Sequence, residues 1–224
     1  MTIRRAVVAV DGPAGAGKST ASRALAQRLG FGYVDTGAMY RAVGVLAAEA
    51  AIDLADDGAL LALVDGLRFA LEDGGTRLVV NGRDVSDAIR RRDAGELASR
   101  VSTRPVVRER LVALQRALGA RGGVVMEGRD IGTVVFPDAP LKLYLVADPA
   151  ERARRRAVDL RARGETVDET ALAAEIAARD ARDSGRATAP LRPADDAVVL
   201  DTTRMSLEAV VARMEALARE RLEA

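Results

Sequence analysis

The chain has 224 residues, 49% apolar and 30% charged, so it is long enough for one sizeable core and has an ordinary globular composition. Its 34 basic residues nearly balance 33 acidic ones, and the net charge of +1 gives no general attraction to nucleic acid or anionic membranes. Cysteine and histidine are both missing, which excludes a disulfide framework and the usual zinc or iron ligand sets. Any metal must be held by oxygen, which indicates magnesium.

No apolar run is long enough to cross a bilayer. The short apolar stretch near the N-terminus is broken by Asp11, Gly12 and Pro13 before a signal-like segment could form. We therefore expect a cytoplasmic protein without a membrane partner.

Short apolar runs bounded by turn residues predict five strands, at 6–10, 32–35, 123–127, 141–147 and 197–201. Helical periodicity predicts six helices, at 18–29, 37–50, 105–118, 150–163, 168–182 and 206–223. Strands that are apolar throughout are typical of a parallel sheet buried on both faces. The alternation of strand and helix predicts the α/β class.

Residues 65–98 interrupt this alternation. They contain two or three short strand-like runs, with Asn81-Gly82 as a predicted hairpin turn. We therefore expect a single domain in which a small, mostly β insert at about 65–98 projects from a larger core.

A glycine-rich motif lies directly between the first predicted strand and the first predicted helix. It reads Gly12-Pro13-Ala14-Gly15-Ala16-Gly17-Lys18-Ser19 and satisfies the P-loop pattern G-x-x-x-x-G-K-[ST]. Glycines let backbone N–H groups converge on phosphate oxygens, and the helix N-terminus adds the positive end of its dipole. We expect Lys18 to reach the β- and γ-phosphates of ATP and Ser19 to ligate magnesium, with Thr20 completing the site.

The strand at 123–127 ends in Glu127-Gly128-Arg129-Asp130, at the sheet edge where ligands of open α/β sheets bind. A cation there is suited to an anionic acceptor. The chain lacks the guanine-reading N-K-x-D motif, which counts against a GTPase switch. Because there is no histidine, an acceptor that is already an oxyanion and needs no general base is favoured.

Three further motifs, together with the P-loop, resemble the bacterial cytidylate kinase family. They are Asp35-Thr36-Gly37-Ala38-Met39-Tyr40-Arg41, the run from Glu127 to Pro137 (EGRDIGTVVFP), and Arg179-Asp180-Ala181-Arg182-Asp183-Ser184-Gly185-Arg186. The resemblance extends from about residue 5 to the C-terminus. It implies a P-loop nucleoside monophosphate kinase fold, with a five-stranded parallel sheet flanked by helices, an acceptor-binding insert at 65–98 and a short helical lid at about 150–164. The remaining core would then comprise 1–64, 99–149 and 165–224.

The resemblance also implies roles for single residues. Arg41 and Arg129 would hold the acceptor phosphate, and Asp130 would read the cytosine edge with the help of two further residues, Arg108 and Ser99. At the third motif, Arg179 and Asp183 would hold the ribose and Arg186 would reach phosphate. The predicted acceptor site comprises Thr36, Arg41, Ser99, Arg108, Arg129, Asp130, Arg179, Asp183 and Arg186. Without the resemblance, Arg41 fits an ordinary surface residue, and the spacing of the third motif equally fits an intrahelical ion-pair ladder.

A dense basic run lies at 152–163, and its six arginines are Arg152, Arg154, Arg155, Arg156, Arg161 and Arg163. Such runs are usually solvated helix faces. Arginines supplied from a mobile segment also neutralise a transferring phosphoryl group, so we favour the lid interpretation and include Arg155 and Arg156 in the ATP site. Three tyrosines, three phenylalanines and no tryptophan leave little for base stacking, which disfavours an RNA-binding surface.

The sequence thus predicts an enzyme that transfers the γ-phosphoryl group of Mg-ATP to CMP or dCMP, giving ADP and CDP or dCDP. The predicted catalytic residues are Lys18, Arg41, Arg129 and Arg186. Three alternatives stay open: a P-loop kinase with another anionic acceptor such as UMP, a GTPase switch, and an ATPase stimulated by nucleic acid. We expect a monomer without a nucleic-acid partner.

Overall fold

The structure is a computed structural model that describes residues 6–186 and 188–223. Within these residues eight strands occur, β1 Val7–Asp11, β2 Gly32–Asp35, β3 Phe69–Glu72, β4 Arg77–Val80, β5 Arg83–Asp84, β6 Val124–Glu127, β7 Leu141–Val146 and β8 Val198–Asp201. The same residues contain eight α-helices, α1 Lys18–Leu29, α2 Thr36–Glu49, α3 Asp57–Asp65, α4 Ala94–Val101, α5 Pro105–Gly119, α6 Pro149–Arg161, α7 Glu169–Ser184 and α8 Leu207–Glu223.

Five strands form one parallel sheet in the order β2-β6-β1-β7-β8. The predicted strands end within one residue of the observed ones, and the α/β prediction is confirmed. The apolar run of β1 is buried along its whole length, as expected for a central parallel strand covered on both faces. Helices α1 and α8 pack against the buried side chains of one sheet face.

The carboxyl ends of the three strands β2, β6 and β1 meet at one edge of the sheet. Asp35, Glu127 and Asp11 are the last residues of these strands. The phosphate loop follows β1, and α2 follows β2 without an intervening loop because Asp35 caps it by accepting a 2.9 Å hydrogen bond from the Ala38 N–H. Three carboxylates therefore lie beside a helix start and a glycine-rich loop.

The small sheet predicted within 65–98 is confirmed as the antiparallel ladder β3-β4-β5. Val80 pairs with Arg83, so Asn81 and Gly82 form a two-residue turn, and both have positive φ, 51° and 79°. Positive φ at both positions is what the favoured hairpin turn requires, and Asn-Gly is the residue pair that tolerates it best.

Two helices were not predicted from the sequence. Helix α3 has only nine residues and begins at the cap residue Asp56, whose side chain accepts from the Ala59 N–H at 2.9 Å. Helix α4 begins within the stretch predicted as a mostly β insert, and it packs against α2. Both are too short for helical periodicity to identify, because nine residues complete only two and a half turns.

No helix among the described residues is long and apolar enough to cross a membrane.

Candidate active site

A cleft of about 710 Å³ opens at the carboxyl edge of the parallel sheet. Most of the predicted site residues line it, although they come from distant parts of the chain. These are Ala14, Gly15, Ala16, Gly17, Lys18, Ser19, Thr20, Thr36, Arg41, Arg108, Arg129, Asp130, Arg155, Arg156, Arg179, Asp183 and Arg186. Gly12, Pro13 and Ser99 are not among the lining residues.

The phosphate loop adopts a conformation that only glycine tolerates at its key positions. Gly12 has φ 141°, and a Cβ atom there would lie 2.1 Å from the Leu145 carbonyl oxygen. Gly17, with φ 84°, is the N-cap residue of α1 and has no side chain that could occupy the N–H groups of the first turn. The first turn of α1 therefore directs free N–H groups toward the cleft, which is the arrangement that binds phosphate.

Lys18 is buried at the start of α1, and its Nζ donates a 2.7 Å hydrogen bond to the Pro13 carbonyl. Burial and the nearby Arg129 guanidinium lower the pKa of Lys18 to about 7, against the opposing attraction of Glu127 and Asp11. An anionic ligand in the loop would favour the charged ammonium form. The lysine is thus suited to hold a phosphate rather than to form a permanent internal ion pair.

Two carboxylates face the phosphate loop from the ends of β2 and β6. Burial, with the neighbouring Asp35 charge, raises the pKa of Glu127, whose carboxylate accepts a hydrogen bond from the Tyr33 hydroxyl. Burial opposes ionisation of Asp35, but the Arg41 guanidinium 2.8 Å away and the Ala38 N–H outweigh it and hold its pKa below the ordinary value. Asp35 is therefore an anion that fixes Arg41 at the cleft.

Ser19 lies exposed in the first turn of α1 and lines the cleft close to Glu127. No group of three or more acidic side chains in the described residues could hold a metal by itself. A hydroxyl and a neighbouring carboxylate are hard oxygen donors that fit magnesium, which keeps several waters and commonly shares its ligands with substrate phosphates. The Ser19 hydroxyl and the Glu127 carboxylate therefore fit a magnesium ion whose remaining oxygen ligands come from a nucleotide and water.

Asp183 joins the predicted acceptor arginines. Its carboxylate is 1% exposed and forms an ion pair with Arg186. It also accepts from Arg129 Nε at 3.2 Å and lies 3.9 Å from Arg179 Nε. One buried anion is thus shared by three cations, and burial together with the Arg129 charge lowers the pKa of Arg179 to about 10. This excess of positive charge is suited to binding an anion.

The two charged residues predicted to read the base contact each other. Arg108 and Asp130 form an ion pair in which both side chains are less than a tenth exposed. Ser99 does not line the cleft, although its sequence neighbours Ala98 and Ser102 do. The Ser99 hydroxyl is buried and has no hydrogen-bond partner among the described residues. The Ser102 hydroxyl instead accepts a hydrogen bond from Arg186 at 2.8 Å.

Thr36 also lines the cleft, but its hydroxyl donates a hydrogen bond to the Glu127 carbonyl at 2.7 Å.

The basic run at 152–163 divides into structural and cleft-facing arginines. Arg152 is buried; it donates to the Ala14 carbonyl at 3.1 Å and pairs with Asp180, which ties α6 to the phosphate loop. Arg155 donates to the carbonyl of Thr202 at 2.7 Å. Arg156 lines the cleft, and burial and the positive charge of Arg163 lower its pKa. Asp159 and Glu165 oppose this shift, but no ion pair with a carboxylate is formed by Arg156 among the described residues, so its charge is available to a ligand.

Several residues that contact the candidate site were missed in the sequence. Arg152 was counted in the basic run but not assigned to the phosphate loop, and Ser102 was not singled out. Asp11 was noted only as a residue that interrupts an apolar stretch, although it is 5% exposed and accepts two backbone hydrogen bonds. A signal was present, because a carboxylate directly before a P-loop lies at the ligand-binding edge of the sheet.

Comparison with known sequences identifies the family. The sequence model of the cytidylate kinase family matches residues 8–220. A cytidylate kinase from Syntrophotalea carbinolica is 50% identical over 220 residues, covering 97% of this chain and 94% of the relative. A cytidylate kinase from Pseudomonas aeruginosa is 50% identical over 209 residues, covering 92% and 91%.

Comparison with solved structures agrees on the fold. An uncharacterized protein from Eubacterium ventriosum superposes with a TM-score of 0.52 at 13% identity, covering 97% of this chain and 99% of that one. At this identity the likeness concerns the fold alone. Since the family's sequence model spans most of the chain and relatives share half of its residues, the chain belongs to the cytidylate kinase family.

Proposed function

We propose that the protein transfers the γ-phosphoryl group of Mg-ATP to CMP or dCMP, giving ADP and CDP or dCDP. The observation that carries this proposal is the cleft itself, in which a phosphate loop faces a group of arginines gathered around Asp183. The cleft thus has two anion-binding walls, a donor wall formed by the phosphate loop and an acceptor wall formed by the arginines around Asp183. A reaction between two phosphates requires such a pair of walls. Membership of the cytidylate kinase family supports the same reaction.

On the donor side, the loop from Gly12 to Ser19, with Thr20, would bind the phosphates of ATP. Lys18 would neutralise the β- and γ-phosphates. When bound, magnesium would add charge neutralisation between these phosphates, with Ser19 as its protein ligand. Arg155 and Arg156 from α6 would close over the donor.

On the acceptor side, Arg41, Arg129 and Arg186 would bind the acceptor phosphate. An oxygen of that phosphate attacks the γ-phosphorus, the bond to the β,γ-bridging oxygen breaks, and ADP leaves with that oxygen. The attacking oxygen already carries negative charge, so no general base is needed. Alignment and charge neutralisation then account for catalysis.

The nucleoside of the acceptor would be recognised farther into the cleft. Arg179 and Asp183 would hold the ribose, while Asp130, oriented by its ion pair with Arg108, would read the cytosine edge. An ionised aspartate accepts from the exocyclic amino group of cytosine, which uracil lacks. Thr36 and Ser99 would support this part of the site from positions where their hydroxyls are buried.

The remaining expectations from the sequence stay predictions. They are a monomer, a cytoplasmic location, and a lack of nucleic-acid partners.

The experiment that tests the proposal is ADP formation from Mg-ATP with CMP, dCMP, UMP, AMP, GMP, TMP and shikimate in separate reactions. We expect strong turnover with CMP and dCMP alone, and none without an acceptor. Turnover with a different acceptor would preserve the kinase but overturn the base-reading role of Asp130. ADP release without any acceptor, or only with RNA or DNA, would overturn the proposal.

A further inference from the structure

A buried carboxylate lies where the two walls of the cleft meet. Asp11 ends β1 directly before the phosphate loop. Its two oxygens accept hydrogen bonds from the backbone N–H groups of Ile131, at 2.9 Å, and Gly132, at 2.8 Å. Burying a carboxylate is costly unless hydrogen bonds compensate it, and these two bonds go to the segment after β6 rather than to the phosphate loop.

These two bonds anchor the backbone directly after Arg129 and Asp130. On the other side of the pair, the Gly128 N–H donates to the Val10 carbonyl at 2.9 Å. The pair is therefore held on both sides by the last two residues of β1, the strand that leads into the phosphate loop.

The anchored segment is a short turn whose own backbone hydrogen bonds lie at its far end, where the Val134 N–H donates to the Asp130 carbonyl at 2.9 Å and the Phe136 N–H to the Ile131 carbonyl at 2.7 Å. Residues 131–135 form a single π-helical turn, a rare geometry, and Asp130 has φ −147° and ψ 26° before it. The first N–H groups of a helical turn have no partner within the turn and must be satisfied from elsewhere. Asp11 satisfies two of them from β1, so loss of its carboxylate would leave a buried donor unpaired at the start of the turn.

We propose that Asp11 is a positioning residue for the acceptor, because it orients Arg129 and Asp130 toward the acceptor nucleotide and fixes them to the strand that carries the phosphate loop. The inference rests on the proposed function, in which Arg129 binds the acceptor phosphate and Asp130 reads the base. The described hydrogen bonds of the Asp11 side chain go to Ile131 and Gly132 rather than to the glycines of the phosphate loop, so the two walls should respond differently to its loss.

The test is Asp11→Asn, which keeps the shape but replaces one accepting oxygen by an amide nitrogen that faces a second donor. We expect the KM for CMP to rise about tenfold, the cost of losing one buried hydrogen bond. The KM for ATP should stay within about twofold, and the preference for CMP over UMP in kcat/KM should fall.

Thr133→Val is the matched control, since Thr133 lies in the same turn and its buried hydroxyl has no hydrogen-bond partner among the described residues. It should leave all three quantities unchanged. A merely structural role for Asp11 would lower Tm and the active fraction of Asp11→Asn but leave the CMP KM and the base preference of the folded fraction unchanged. Unchanged CMP KM and base preference in that variant would overturn the inference.

Two further measurements apply if Asp11→Asn does not fold. Asp11→Glu retains the charge but displaces the oxygens, and it should also raise the CMP KM selectively; an unchanged KM would contradict the inference.

In the wild-type protein, the amide proton shifts of Ile131 and Gly132 should titrate together with a midpoint near pH 6. The ionisable groups that interact electrostatically with Asp11 are Lys18, Asp130 and Tyr144. None of them accepts a hydrogen bond from the Ile131 or Gly132 amide, so the titration of these amides reports on Asp11. Amide shifts that titrate with different midpoints would show that the two amides do not share the Asp11 carboxylate and would overturn the inference.

The outcomes separate this inference from the proposed function. If the wild-type enzyme does not phosphorylate CMP, the proposed function fails. If the wild-type enzyme phosphorylates CMP and Asp11→Asn retains its KM and base preference, the positioning role alone fails.

Discussion

On the donor side of the cleft, one continuous run from Gly12 to Ser19 supplies backbone N–H groups and a single lysine, whereas the acceptor side collects side chains from α2, α5, the turn after β6, and α7. The donor wall is fixed by backbone conformation, as the positive φ of Gly12 and Gly17 indicates. The acceptor wall is fixed by ion pairs around Asp183. Substitutions on the two walls should therefore fail in different ways.

The largest expected effect is on the donor wall. Lys18→Ala should lower kcat by on the order of 10³-fold, because the transferring phosphoryl loses the cation proposed to neutralise it. Circular dichroism should show an intact fold. Lys142→Met is the matched control, because the other lysine of the chain pairs with Asp196 outside the cleft. A Lys18→Ala variant with the wild-type rate would contradict the proposed role.

The donor wall should also be intolerant of any side chain at Gly12. Gly12→Ala should destabilise the fold by about 3 kcal/mol or more, since its Cβ would overlap the Leu145 carbonyl and alanine rarely adopts φ 141°. The measurement is urea unfolding. Gly58→Ala, in the exposed first turn of α3, is the control and should not destabilise the fold, because alanine is the better helix former. Equal stability of the two variants would mean that the loop backbone is not the fixed element.

The acceptor wall should fail through binding rather than through backbone strain. Asp183→Asn leaves Arg129, Arg179 and Arg186 without their shared anion, and breaking such a buried pair costs about 3–5 kcal/mol. We expect a lower Tm and a CMP KM raised on the order of 100-fold, with a much smaller change in the KM for ATP. Asp159→Asn, an exposed cleft residue on α6, is the control. An equal rise in both KM values would show that the walls are not independent.

A smaller effect is the pH dependence of stability that Asp11 should cause. Burial raises the pKa of Asp11 to about 6, although its two backbone hydrogen bonds oppose this. The folded state therefore binds the proton more tightly than the unfolded state, so this contribution to stability is fully present below pH 4 and is lost as pH rises through 6. Its size is about 3 kcal/mol.

Unfolding free energies of wild type and Asp11→Asn between pH 4 and 7 test this sign. The variant should gain stability relative to the wild type as pH rises across that range. A difference that is flat with pH would mean that Asp11 titrates at its ordinary pKa.

The smallest effect should come from the surface contacts between the segment 88–96 and the α6–α7 hairpin. They include Arg92 with Glu175 at 3.1 Å and Arg163 with the Arg90 carbonyl at 3.1 Å. Both partners of the first pair are more than half exposed, so Arg92→Ala should cost less than about 1 kcal/mol. Its CMP KM should change less than twofold, and a larger change would make this contact part of the acceptor wall.

The two walls also differ in how far the sequence predicts them. The phosphate loop is contiguous, and its strand and helix neighbours follow from periodicity alone. Arg179, Asp183 and Arg186 fit an intrahelical ion-pair ladder equally well, and only the resemblance favoured a site. The structure adds the pairing of Asp183 with Arg129, 54 residues away, which no local pattern contains.

Other features could not be predicted for the same reason. The two amide donors to Asp11 lie 120 and 121 residues farther along the chain, so its role depends on the order of strands in the sheet. Helices α3 and α4 are short and are stabilised by packing against α5 and α2 rather than by a long periodic pattern.

The most direct test of two separate walls is calorimetric binding of ADP and CMP, each alone, to Lys18→Ala and Arg129→Ala. Arg129→Ala should weaken CMP binding about 30-fold, the loss of roughly one charge-assisted pair, and leave ADP within about threefold. Lys18→Ala should weaken ADP and spare CMP. If either variant weakens both ligands equally, the cleft is a single coupled site and the account of two walls is wrong.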